Sequence, residues 1–335
     1  MKKKTLNIVK NDPWLQPFSD AIIGRYNDAL VKEQDLLSGG AKSLDDFANA
    51  HKYFGLHRDG DGSWIFREWA PNATAITLIG DFSQWKKLKK YALKRRDNGV
   101  WEIKLPLKTL HHLDLYKLSV HWNGGQGERI PAWATRVVQD PETYIFSAQI
   151  WDPRQPFTFT KTNFKPKTSP LLIYECHIGM AQQEEKVGTY NEFREKILPR
   201  IDADGYNAIQ IMAIQEHPYY GSFGYHVSSF FAPSSRFGTP DDLKALIDDA
   251  HRRGIAVIMD IVHSHAVKNE VEGLGRFDGS YDQYFYGDNR REHPAWDSLC
   301  FDYGKNEVIH FLLSNCKYWL DEFHFDGFRF DGVTS

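Results

Sequence analysis

Gly254-Ile-Ala-Val-Ile-Met-Asp260-Ile-Val262 is apolar along its whole length except for one carboxylate near its end. Bounded by Gly254 and followed by His263-Ser-His265, so short a run reads as a strand buried on both faces. Such strands belong to parallel sheets covered by helices, and the neighbouring sequence has the matching grammar. Leu171–Ile178 and Asn207–Ile214 read as strands upstream, and Phe325–Asp331 as a strand downstream. Helical patterns separate them near Glu192–Ala203, from Pro240 to Arg253 with Gly254 as the stop, and over Glu307–Glu322. The order is βαβαβαβ. Two connections, Gln215–Thr239 and His263–Asn306, follow strand C-termini and are too long to be plain turns. Long loops at that end mark a (β/α)₈ TIM barrel, whose reactive groups stand there. A full barrel takes eight strands and about 250 residues. Residues 171–335 therefore predict an α/β half-barrel, the first four βα units of a truncated catalytic domain.

Toward the N-terminus the period changes to two. Trp64–Ala70, Ala75–Ile79, Gly99–Leu105 and Leu115–Trp122 are short alternating runs separated by turn residues. They predict an antiparallel β-sandwich over 61–151. Residues 152–170, with Pro153, Pro156, Pro166 and Pro170, read as a linker. Before the sandwich, 1–60 reads as a helical segment. Trp14, Phe18, Ile22, Tyr26 and Leu30 recur at near-helical spacing over 12–37, Gly39-Gly40 ends the run, and Ser43 is placed to cap a short helix. The chain is thus multidomain.

Bulk properties exclude several classes. A net charge of -3 with both signs interspersed points to neither nucleic acid nor a membrane surface. No stretch is long and apolar enough to span a bilayer, and Lys2-Lys-Lys4 is followed by Asn11-Asp12 rather than by a signal-peptide core. Cys176, Cys300 and Cys316 show no paired spacing, so a reduced, cytoplasmic setting is expected. Aromatics make up 14 % of the chain, enough for a rich core or for rings that stack on sugars.

The residues with chemistry gather at strand ends. Arg329 and Asp331, two apart, share a strand face, with Phe328 and Phe330 on the other. A charged face is costly to bury unless paired, so Asp331 reads either as a structural carboxylate or as a nucleophile kept ionised by Arg329. Asp260 closes its strand and reads as an ion-pair residue or as a partner that orients Arg329. His265 stands five residues beyond it. His263, nearer, has less claim. Tyr225 and Phe223, in Tyr219-Tyr-Gly-Ser-Phe-Gly-Tyr-His226, either pack their loop or offer a ring to a sugar.

Gln210–His217, Gly221–Pro240, Asp260-Ile-Val-His-Ser-His-Ala266 and Asp326-Gly-Phe-Arg-Phe-Asp-Gly-Val-Thr-Ser335 resemble the 1,4-α-glucan branching enzymes, eukaryotic type, of the α-amylase superfamily. Phe66-Arg-Glu-Trp-Ala-Pro71 and Gly80-Asp-Phe-Ser-Gln-Trp85 resemble that family's glycogen-binding sandwich, a carbohydrate-binding module of type 48. The resemblance runs from about Asp12 to the last residue. It implies that Asp331 is the nucleophile of a retaining displacement. It further implies that Arg329 holds Asp331 ionised, that Asp260 and His265 steady the network and the sugar, and that Tyr225 stacks beneath that sugar. Trp69, Ala70 and Pro71 match a surface glucan contact, and Glu307 stands where another is expected. The implied reaction moves a segment of α-1,4-glucan to a 6-hydroxyl, making the α-1,6 branches of glycogen.

Departures from the family pattern matter as much. Ser264 stands where many α-amylases carry a calcium-ligating Asn, so no metal and no cofactor is expected. The family's general-acid Glu and its stabilising Asp match no segment, Glu175 and Glu216 included. The chain is therefore expected to be an N-terminal fragment, inactive alone. Alternatives are another α-glucan hydrolase or debranching enzyme, a non-catalytic glucan-binding fragment, and a metallohydrolase using His263, His265 and Asp331.

Overall fold

A computed structural model of the chain describes residues 6–166 and 170–333; the basic Lys2–Lys4, residues 167–169 within the Pro-rich stretch, and Thr334-Ser335 lie outside the described residues. The chain divides into two compact units at Asn49/Ala50. The first holds α1 (Asn7–Asn11), a 3₁₀ turn at Pro13–Phe18, α2 (Ser19–Leu37) and α3 (Leu44–Phe47). The expected single helix over 12–37 is therefore corrected. Pro17 has no N–H to give an α-helical bond, so its turn tightens to 3₁₀, with Asp12 accepting from the Trp14 amide at 3.0 Å. Ser43 does cap α3, its hydroxyl accepting from the Asp46 amide at 3.1 Å.

The second unit begins with nine strands in two sheets. β1 (Gly55–Arg58), β2 (Trp64–Trp69), β3 (Ala73–Gly80), β4 (Lys94–Arg95), β5 (Val100–Leu105), β6 (Leu115–Trp122), β7 (Gly125–Arg129), β8 (Val137–Gln139) and β9 (Phe146–Gln149) follow in order. One sheet runs β1-β2-β5-β4 and the other β3-β6-β9-β8, with β7 pairing β6. Every pair is antiparallel. Trp64, Phe66, Ile76, Leu78, Trp101, Ile103, Leu118 and Val120 alternate inward and fill the space between the sheets.

Residues 160–164 of the Pro-rich stretch are tied down. Thr160 and Lys161 donate their amides to Asp248, each at 2.9 Å, and Phe164 stacks on His251 at 4.1 Å.

Beyond it come β10 (Ile173–Cys176), α4 (Tyr190–Glu192), a π-helical turn at Phe193–Ile197, α5 (Leu198–Ala203), β11 (Ala208–Ile211), β12 (Gln215–Glu216) and β13 (Ser229–Pro233). Then follow α6 (Pro240–Arg252), β14 (Ala256–Val262), β15 (His265–Val267), β16 (Glu292–His293), β17 (Ser298–Cys300), α7 (Asn306–Phe323) and β18 (Gly327–Asp331). The parallel sheet runs β10-β11-β14-β18, so strands consecutive in the βα units are neighbours in space. That order is the barrel order. The two long connections carry small sheets of their own, β12-β13 and β15-β17-β16. They stand at the C-terminal ends of β11 and β14.

Candidate active site

Register assembles the charged cluster. In the β14–β18 pair Asp260 lies opposite Arg329 and Val262 opposite Asp331. Residues matched in a parallel pair project to the same face, so Arg329 meets Asp260 sideways and Asp331 along its own strand. A single nitrogen, Nη1 of Arg329, donates to Asp260 Oδ1 at 2.9 Å, to Asp260 Oδ2 at 3.0 Å and to Asp331 Oδ1 at 2.7 Å. These bonds raise the guanidinium's pKa further, and it stays charged. Asp260 is fully buried. Burial pushes its carboxyl up, and the bonds from Arg329 and Tyr225 oppose that push.

Tyr225 arrives from the loop between β12 and β13. Phe223 and Gly224 both take positive φ, and a Cβ on Gly224 would overlap the Ala213 carbonyl just past β11. Only glycine lets the loop come that close. The turn delivers the Tyr225 hydroxyl to Asp260 Oδ2 at 2.8 Å. Burial and the neighbouring carboxylate push this phenol well up, so it remains a donor. His265 completes the shell: Nε2 donates to the Tyr225 carbonyl at 3.0 Å, and Nδ1 then accepts from the Ser264 hydroxyl at 2.9 Å. Burial lowers its pKa, consistent with a neutral ring that braces Tyr225. Arg329, Asp331, Asp260, Tyr225 and His265 thus converge as one network.

His263 does not join it. Its Nε2 donates to Asn315 Oδ1 of α7 at 2.9 Å, and burial lowers its pKa to about 4. The two histidines serve different partners, which removes the geometric basis for reading them with Asp331 as a metal site. Glu216 is also structural. It is fully buried and accepts from His217, Ser234 and Ser235. Glu175 pairs with Gln210 on the next strand.

A second group gathers between the sandwich and the α/β layer. Trp69, Pro71 and Glu307 line one cleft of about 350 Å³ together with Phe54, Trp133 and Tyr284. Trp69 stands edge-on to Tyr284, with ring centroids 5.4 Å apart. Glu307 lies in the first turn of α7, the helix that leads into β18. Ala70 is fully buried and does not line the cleft. Its backbone carbonyl holds the Trp101 indole at 2.9 Å, so its part is to space Trp69 from Pro71.

Sequence reasoning missed what supports this cleft. Glu68, fully buried, accepts from the Trp69 and Ala132 amides, each at 2.9 Å, and so ties two of its walls together. Gln283 donates to the Trp69 carbonyl at 2.6 Å, and Asp278 accepts from the Asn72 amide at 2.8 Å. A charged residue in the middle of an alternating strand was the available signal for Glu68. Nothing local marked Gln283 or Asp278.

The carbohydrate-binding module 48 family (isoamylase N-terminal domain) matches residues 53–141, and the α-amylase catalytic domain matches 182–298. The GBS pullulanase SAP, solved with maltotetraose, superposes with TM-score 0.67 at 23 % identity, covering 83 % of this chain and 41 % of that one. The catalytic module of the glycogen-degrading pneumococcal virulence factor SpuA gives 0.66 at 20 %, covering 83 % and 46 %. Fold, site and these matches define the class: a carbohydrate-binding sandwich followed by α-amylase-type βα units, as the sequence motifs implied. Within that class the similarity narrows. The 1,4-alpha-glucan-branching enzyme of Yarrowia lipolytica is 47 % identical over 99 % of this chain and 49 % of its own length. Those of Dictyostelium discoideum and Equus caballus are each 43 % identical over 98 % of this chain, and over 49 % and 47 % of their own. The chain is homologous to the 1,4-alpha-glucan-branching enzymes over nearly its whole length. It spans about half the length of the curated relatives it matches.

Proposed function

We propose that this chain supplies the nucleophile side of a glucan branching reaction, in which Asp331 attacks an anomeric carbon and holds the glycosyl unit for transfer to a 6-hydroxyl. The observation that carries the reading is the Arg329-centred network, with Asp331 at the C-terminal end of β18. Arg329 holds Asp331 Oδ1, which favours attack through Oδ2. Asp260 keeps Arg329 in place from below, and Tyr225, fixed through Asp260 and His265, offers its ring to the sugar. A retaining displacement also needs a carboxylic acid about 5 Å from the nucleophile to protonate the leaving oxygen. Asp260 shares Arg329 but is fully buried and engaged on both oxygens, so it is unsuited to that role.

The Trp69–Pro71–Glu307 cleft, in this reading, holds α-1,4-glucan away from the reacting bond and raises its local concentration. The three free cysteines favour a reduced, cytoplasmic setting, and no helix among the described residues is long and apolar enough to cross a membrane.

A 5-fluoro-glucosyl fluoride tests the nucleophile alone, because fluoride leaves with little help from a general acid. The expected result is one covalent adduct on Asp331 by peptide mass spectrometry, absent from Asp331→Asn. An unmodified Asp331 counts against the assignment. For branching by the whole protein, iodine–amylose colour should fall without matching reducing ends. Reducing ends that rise in step would identify a hydrolase instead.

A further inference from the structure

Trp296 is a large apolar side chain held in the open beside the reactive cluster. It lies in the turn between β16 and β17, and the residue is 38 % exposed. A fold that leaves such a ring partly open and still fixes its position invites an explanation. The fixing comes from three histidines. The His293 ring stacks on the indole at 4.1 Å with an interplanar angle of 11°. The His265 ring lies 5.2 Å away, tilted by 47°. His226, which follows Tyr225, donates from Nε2 to the Trp296 carbonyl at 3.1 Å. The Trp296 amide bonds the His293 carbonyl at 3.2 Å, and Asp297 turns the chain with a positive φ.

The ring also borders the nucleophile. A Cβ on Gly332, the residue after Asp331, would lie 3.0 Å from Trp296 Cζ3 and 2.6 Å from Ser264 Oγ. Gly332 has φ +63°, so its lack of a side chain serves both the backbone and the space before the indole. Flat, rigid aromatic faces suit the apolar C–H face of glucose, with polar groups at the rim for its hydroxyls.

We propose that Trp296 is a glucose-stacking residue of the reaction centre, carrying the unit of an α-glucan that adjoins the one attacked by Asp331. The inference rests on the glucan reading above and names a contact beyond it. His293 and His265 act as its backing, and His226 sets its angle.

The test uses the full chain labelled with 5-fluorotryptophan and maltoheptaose as the probe. Its ten tryptophans should give up to ten ¹⁹F lines. Trp296→Phe and Trp69→Phe identify the two that matter by their loss. The expected result is a saturable shift of the Trp296 line. In a Trp69→Ala background, Trp296→Ala should weaken the remaining binding by roughly threefold to tenfold, and Trp296→Phe by less. If the Trp69 line moves and the Trp296 line does not, the inference is overturned while the glucan reading stands. If neither moves, both fall. The line shifts are read on chains that keep every side chain in question, so they hold even if Trp296→Ala fails to fold.

Discussion

At the scale of single residues, Arg329 decides whether the charged cluster exists. One nitrogen serves three carboxylate oxygens. Arg329→Ala leaves Asp260 buried beside Tyr225 with no cation. The guanidinium is itself partly exposed, so the cost should fall below that of a fully buried pair, at roughly 1–3 kcal/mol by urea unfolding at pH 7. The sign of its pH dependence follows from Asp260, whose carboxyl is already raised by burial. Without the arginine its pKa rises further, and ionised Asp260 penalises the folded state more. The deficit should therefore shrink as pH falls through the carboxylate range, and a deficit that grows toward acid would refute the pairing. Glu68 follows the same logic with a different window. Burial pushes it up to about 8 from an ordinary 4.5, against two amide bonds that favour its charge. Stability from this group is full below about 4.5 and is lost as pH rises through about 8. Each unit of difference is worth about 1.4 kcal/mol. Melting curves of wild type and Glu68→Gln across pH 5–8.5 should therefore converge or cross toward the alkaline side; parallel curves would show that Glu68 does not titrate there.

At the scale of elements, α7 links both sites. Its first turn presents Glu307 to the cleft, and its C-terminus feeds β18 with Arg329 and Asp331. Asn315, fully buried in its middle, accepts from Gln215 Nε2 at 3.1 Å and from His263 Nε2 at 2.9 Å, and donates to the Phe230 carbonyl at 2.8 Å. Asn315→Ala strands His263 Nε2 and takes one partner each from Gln215 Nε2 and the Phe230 carbonyl, which keep their bond to each other at 2.9 Å, and should cost about 2–4 kcal/mol in urea unfolding. Asn315→Asp keeps the acceptor and loses only the Phe230 bond, apart from its added charge. It should therefore be rescued toward pH 4 and below, where that carboxyl is neutral. These bonds explain why sequence placed α7 but not His263. Helical periodicity reports which face is apolar, whereas the direction a histidine turns depends on an asparagine on another element. The Pro-rich 152–170 stretch has the composition of a linker. Composition does not register that Asp248, far along the chain, accepts from Thr160 and Lys161. Short strands were hidden for a related reason: β7, Gly-Gln-Gly-Glu-Arg, has no apolar alternation and exists because β6 offers it an edge. Period-two runs and uniformly apolar strands were legible because burial on one face or two leaves a mark on every residue.

At the scale of the whole second unit, the α/β layer shapes the cleft through one loop. Residues 276–283 latch onto the sandwich. Asp278 accepts from the Asn72 amide, Gln283 donates to the Trp69 carbonyl, and Gly279 lies against the Trp122 ring. Tyr284, the next residue, forms the wall that Trp69 meets edge-on. Gly279 has φ +88°, and a Cβ there would overlap the Trp122 indole. Gly279→Ala must therefore strain its own backbone and displace either the loop or the tryptophan. A stability loss of about 1–3 kcal/mol is expected from the backbone and overpacking terms together. The sharper expectation concerns function. Moving the latch shifts Gln283 and Tyr284, so the Trp69 cleft should bind maltoheptaose several-fold more weakly, measured by calorimetry well below the melting temperature. The Asp331 network shares no hydrogen bond with this loop, so trapping with the glucosyl fluoride should proceed at the wild-type rate. A variant that is destabilised yet keeps full affinity would show that the latch holds the layers together without shaping the cleft. Loss of trapping in the same variant would show that the two sites are coupled through α7, whose ends reach both.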